Sequence, residues 1–176
     1  MTAKKTRITV EPSITEQTVN PDGFTVQNNK NEVLSNSDEI QVIALVPNVN
    51  YKDNHTGDFY EWNNIGDSEY LTFETLQNMW RNNKGYFRNL ILKPSDDRVI
   101  QKFGLKSLYE KFDFLMDIKN YEYKNIQKVI EAYNGMTNDQ KYSVATKLKY
   151  LVKTDQIIDY RVIQKLQDSL EINLGI

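Results

Sequence analysis

The chain contains no cysteine and a single histidine. The first absence excludes disulfides, thiolate metal centres and cysteine nucleophiles. The second leaves zinc poorly served, because zinc takes its ligands from histidine, cysteine and carboxylate. Glycine is scarce, with seven residues in 176. A phosphate-cradling glycine loop therefore has little to be built from, and no Gly-x-Ser-x-Gly turn or paired-carboxylate motif occurs. No apolar run approaches the roughly 20 residues of a membrane span. The start, "MTAKKTRITVEPSITEQ", is basic without an apolar segment. A secretory signal is not expected, and a soluble protein made and kept in a cytoplasm is. Charge of one sign is missing too: 22 basic against 24 acidic residues give a net charge of -2. That balance supplies no electrostatic drive toward nucleic acid or an anionic membrane.

What is present is enough for one domain of ordinary size, able to bury a core without staples. The composition changes along the chain and divides it into three parts. Residues 1–38 are polar and read as an extended or disordered N-terminal arm. Short β-branched alternations carry Ile8, Val10, Ile14 and Val19, which a flexible linker would not need. Two readings stand side by side: an arm that orders on a partner surface, or an ordinary ragged terminus.

Residues 39–94 mix strands with one helix. "EIQVIALVPN" is a run of β-formers stopped by Pro47-Asn48. "DFYEWNN" and "SEYLTF" alternate around a turn at Gly66-Asp67, and "DNHTG" makes an earlier turn. "LTFETLQNMWRNNKG" predicts a helix over 73–84, capped by Thr72 and closed by Gly85, with Phe73, Leu76, Met79 and Trp80 on one face. "YFRNLILK" reads as a further strand ended by Pro94.

Residues 95–176 are predominantly helical. Ser95 or Asp96 caps a short helix that Gly104 ends, and "LKSLYEKFDFLMD" follows as a second. "NYEYKNIQKVIEAYNG" aligns Tyr123, Ile126, Val129, Ile130 and Tyr133. Thr137 and Gln140 form a capping box before a helix whose face is Val144, Ala145, Leu148, Leu151 and Val152. The last helix opens on Asp159 and buries Val162, Ile163, Leu166 and Leu170. The expected fold is α+β: a small antiparallel sheet with one packed helix, then a C-terminal helical bundle with short loops.

The stretch "HTGDFYEWNN", His55 to Asn64, concentrates the chemistry. Asp53, Asn54, His55 and Asp58 are the candidate metal ligands. A calcium loop needs a bidentate Glu at its twelfth position, which is missing here. His55 as a general base would need an orienting partner and a pocket, and the turn residues place it at a loop tip. On a strand, Tyr60 and Trp62 share one face, and Phe59 and Glu61 the other. They cover the helix over 73–84, or one of them anchors a partner. Asp96-Asp97 reads as a helix cap rather than an acidic pair. The lysines of "TKLKYLVKT" and "YEYKNIQK" read as a solvated face, and the last helix carries only Arg161 and Lys165 for reading DNA.

The polar arm, the "TGDFYEW" hairpin, the "LTFETLQNMW" helix and the "IIDYRVIQKLQDSLEINLGI" tail together resemble small structural proteins of tailed phages of low-GC bacteria. The resemblance implies a virion component or an early accessory protein, and carries over no site residues. The expectation is a non-enzymatic assembly protein of the virion without cofactor, metal or small-molecule substrate. It would bind neighbouring subunits through Ile8, Val10, Ile14 and Val19 of the arm and Phe59, Tyr60 and Trp62 of the hairpin. The alternatives are a protein-binding regulator of a host factor and a DNA-binding regulator.

Overall fold

The computed structural model describes residues 33–175. The arm residues Ile8, Val10, Ile14 and Val19 lie outside them. The described part is α+β, with its strands in the first half and its helical part C-terminal.

Strand β1 (Glu39–Ala44) is the centre of a three-stranded antiparallel sheet, between β4 (Ser68–Thr72) and β5 (Leu92–Pro94). Its period-two pattern sends Ile40, Val42 and Ala44 into the core. Pro94 is tolerated in β5 because of register. It stands opposite Val42, while Ser95 N donates to Gln41 O one residue beyond. The proline thus occupies a pair from which the ladder asks no N–H. Strands β2 (Val49–Lys52) and β3 (Phe59–Trp62) form a separate two-stranded hairpin.

Helix α1 (Phe73–Asn82) follows β4 directly. Thr72 Oγ1 accepts from Thr75 N at 3.2 Å, the cap that its position predicts. Phe73, Leu76 and Met79 are buried as the helical spacing requires. Residues just before β1 tie to the same helix start: Phe73 N donates to Asp38 O and Glu74 N to Asn36 O.

Two local expectations are corrected. "YFRNLILK" is not one strand. Gly85–Arg88 forms a single helical turn, α2, and only Leu92–Pro94 pairs in the sheet. Gly85 therefore opens a turn instead of closing α1, which ends on Asn83. Leu90 takes a left-handed φ of 58° between the two pieces. The reversal buries Phe87, Leu90 and Leu92 together, which a straight strand would split between two faces. Phe87 thereby joins Trp80 and Phe103, whose rings stack at 4.6 Å. Tertiary packing outweighs the local β preference here.

The second correction concerns Tyr123, expected on a buried helix face. After α3 (Asp97–Lys102) and α4 (Lys106–Met116), a 3-10 turn spans Ile118–Tyr121, and α5 begins only at Ile126. Tyr121 takes the buried place and donates its hydroxyl to Leu115 O. Tyr123 stays 55% exposed.

Helices α6 (Asn138–Lys153) and α7 (Tyr160–Leu170) complete the fold. The Thr137–Gln140 capping box is present, and Gln140 also donates to Arg88 O. Ser143 donates to Asn89 O at 2.6 Å, a second tie from α6 to the C-terminal end of α2. One continuous core runs from Ile40 to Leu174.

Asp96 caps α3. Its Oδ1 accepts from Arg98 N at 2.8 Å, and Oδ2 pairs with the Arg98 guanidinium at 2.6 Å. That guanidinium holds the carboxyl below the usual carboxylate range. A depressed folded-state pKa stabilises the fold above the unfolded value, about 3.9, and the contribution is lost as pH falls through the folded one. We expect Asp96→Ala to cost about 1 kcal/mol near neutral pH. Urea titrations at neutral pH and again well below the carboxylate range check this: the gap from wild type should shrink in acid. An unchanged gap would mean that the cap does not depend on the charge.

Candidate functional site: the Asp53 cleft and the aromatic hairpin

The turn joining β2 to β3 is built by its own side chains. Asp53 N donates to Asp58 O, and Gly57 N returns to Asp53 O at 2.7 Å. Gly57 sits at φ 84°, where a Cβ would be strained. Asp53 Oδ1 accepts from His55 N at 2.8 Å, and Thr56 Oγ1 accepts from Asp58 N at 3.2 Å. These are the side-chain-to-backbone bonds that make Asp and Thr turn residues. The consequence lies inward. Asp53 is 1% exposed, a buried carboxylate at the base of an otherwise exposed loop.

Opposite the turn stands the polar stripe of α1. Glu74, Asn78, Arg81 and Asn82 recur at the spacing of one helical face. With Asp53, Asn54 and His55 they line a cleft of about 430 Å³. Two of these lining residues hold buried polar atoms that no protein group satisfies. Asp53 Oδ2 and Asn78 Nδ2 are buried without a hydrogen-bond partner, and so is the Tyr51 hydroxyl, two residues along the strand. Burial, and next the Asp53 charge, push the Tyr51 phenol upward. The Asn82 side chain opposes that shift. Buried polar atoms left unpaired cost on the order of 1–3 kcal/mol each. Two of the three, on Asp53 and Asn78, belong to residues that line this one cleft.

The aromatic hairpin divides as strand alternation predicts. Tyr51 and Tyr60 stack at 6.4 Å, Tyr60 and Trp62 stack at 6.4 Å, and Tyr86 meets Tyr51 edge-on at 5.9 Å. Burial raises the Tyr60 phenol, with the Thr75 side chain of α1 opposing the shift. Trp62 is fully buried and donates Nε1–H to Val42 O at 3.0 Å, which joins the hairpin to the central strand. Trp62 is a packing residue, Tyr60 is half-buried, and Phe59 is 61% exposed on the opposite face. Of the β3 aromatics Phe59, Tyr60 and Trp62, Phe59 is the most exposed.

The sequence marks the Asp53–Asp58 turn but not its partners. The helical spacing of Glu74, Asn78 and Arg81 was readable as a polar face. What the spacing does not contain is which loop that face meets. His55 is exposed at the cleft rim. Among the described residues no three of histidine, cysteine, aspartate and glutamate gather as a metal would require. No helix among them is long and apolar enough to cross a membrane.

No known family model matches the chain, and no solved structure is significantly similar to it. It is 32% identical over 69 residues to uncharacterised protein y4gN of Sinorhizobium fredii. The match covers 39% of this chain and 18% of that protein, so the chain corresponds to less than a fifth of its relative's length.

Proposed function

We propose that this chain is a non-enzymatic protein-binding component of a larger assembly. The observation that carries the reading is the surface where α7 begins. Ile158 is 76% exposed and Tyr160 64%, flanking the cap residue Asp159. Arg161 lies over the ring of Tyr123, itself 55% exposed, at 5.7 Å. Tyrosine and arginine are enriched among residues that dominate binding energy, and an exposed isoleucine beside them has no packing role in the monomer. The setting proposed is a phage particle, on the resemblance of the arm, hairpin and tail described above. Phe59, at the start of β3, gives the hairpin a second contact point.

Ile158→Asp and Tyr160→Asp test this reading. Both positions are exposed, so thermal stability should stay within about 0.5 kcal/mol of wild type. Incorporation into the assembly, read as copies per purified particle, should fall about tenfold or more. Undiminished incorporation would remove this surface from the proposal. Purification with one host protein instead of with particles would favour the regulator reading.

A further inference from the structure

We propose that the Asp53 cleft is a binding site for an ammonium group, with Asp53 Oδ2 as the counter-charge and Asn78 binding an oxygen beside the ligand nitrogen. The two carboxyl oxygens of Asp53 have different fates. Oδ1 closes the turn by accepting from His55 N. Oδ2 is buried and has no protein partner, and Asp53 is among the residues that line the cleft. A purely structural turn aspartate is fully served by its first oxygen, and such residues usually leave the second in solvent. Here the side chain is 1% exposed, so its second oxygen calls for a donor.

A positively charged N–H donor answers that need better than a neutral one, because charge-assisted hydrogen bonds are roughly twice as strong. The walls agree in sign, with the carboxylates of Asp53 and Glu74 against the single guanidinium of Arg81, whose Nη2 donates to Gln77. A hard metal ion fits less well. It wants six or more oxygens, several of them charged, and no three-residue ligand group gathers here. The unpartnered Asn78 Nδ2 is a donor and therefore asks for an acceptor on the same ligand. An amine with a neighbouring oxygen satisfies both atoms. The cleft, about 430 Å³, lies within the size range of small-ligand sites. Two sources present the ammonium group: a free small amino alcohol, which carries the oxygen as well, or a lysine side chain on another protein, whose ammonium alone would answer Asp53.

The experiment uses the full chain and follows the Asn78 side-chain amide and His55 ring resonances by NMR. The probes are ethanolamine, Nα-acetyl-lysine methylamide, ethylene glycol and magnesium chloride. Saturable shifts of both groups with ethanolamine or the lysine derivative, and none with ethylene glycol or magnesium, are expected. Tighter binding of ethanolamine assigns a free amine, and tighter binding of the lysine derivative a protein side chain. Asp53→Asn should weaken binding about tenfold or more while keeping Oδ1 for the turn. Should that variant fail to fold, Asn78→Leu, on the half-buried face of α1, should weaken ethanolamine binding as read on His55. Absence of saturable shifts with both amines would overturn the proposal. So would equal binding of ethylene glycol, a preference for magnesium, or undiminished affinity in a folded Asp53→Asn chain.

Discussion

Trp62→Ala should be the most damaging single substitution in the hairpin, costing roughly 3–5 kcal/mol. The side chain is fully buried and stacks with Tyr60, and its indole N–H is spent on Val42 O of the central strand. Hairpin and three-stranded sheet share no ladder. The indole contact is thus a main means by which β2 and β3 are held to β1. Truncation removes a large apolar volume and that tie together. For a domain of this size the melting temperature should drop on the order of 10 °C. Trp62→Phe keeps most of the ring volume but loses the N–H, and should cost less, about 1–3 kcal/mol. Calorimetry on the two variants separates packing from the hydrogen bond. A melting temperature near wild type for Trp62→Ala would mean that the hairpin is an appendage, and the Asp53 cleft that it frames would lose its rigid wall.

A second large effect is expected at Tyr109. It is buried on α4, and its hydroxyl donates to Leu92 O at 2.7 Å with Phe87 O at 3.3 Å. One side chain of the helical part therefore bonds both β5 and α2. Lys93 lies over its ring at 5.7 Å and pairs with Asp113 on α4, which reinforces the same seam. Tyr109→Ala should cost about 3–5 kcal/mol, in line with other large aromatic truncations. Tyr109→Phe should cost about 1–3 kcal/mol, because two buried carbonyls lose their shared donor.

The pH dependence carries a separate signature. Burial pushes the Tyr109 phenol well above its ordinary value, and the neighbouring Asp113 charge adds to the shift. An acid with a raised folded-state pKa stays neutral in the fold while the unfolded chain ionises. Its stabilisation is thus complete below about pH 10 and lost as pH rises beyond it. Tyr121 is raised by burial in the same direction. Wild type should lose stability steeply in alkali, and Tyr109→Phe should flatten that slope. Denaturant midpoints compared across the alkaline range test this, and an unchanged slope would mean that the phenol is solvated.

Local signals decided much of this protein before any contact is considered. Thr72, Asp96, Thr137 and Asp159 each cap the helix that their position announces, because a cap bonds only to backbone two or three residues away. Alternation in "EIQVIA" and "FYEW" assigns faces for the same reason: strand geometry repeats every two residues whatever lies opposite. The absence of cysteine settled the disulfide question outright. Other features are not encoded locally. Leu90 turns back through a left-handed conformation so that Phe87 can reach Trp80 and Phe103, partners on two other helices or their ends. Tyr121 rather than Tyr123 is buried, with its hydroxyl on Leu115 O at the end of the 3-10 turn. The candidate site belongs to the same class. "DNHTGD" shows a turn, and Glu74, Asn78 and Arg81 show a polar helix face. The cleft exists only because the hairpin, pinned through Trp62, brings Asp53 against that face. Such a juxtaposition depends on long-range packing, and no residue spacing along the chain records it.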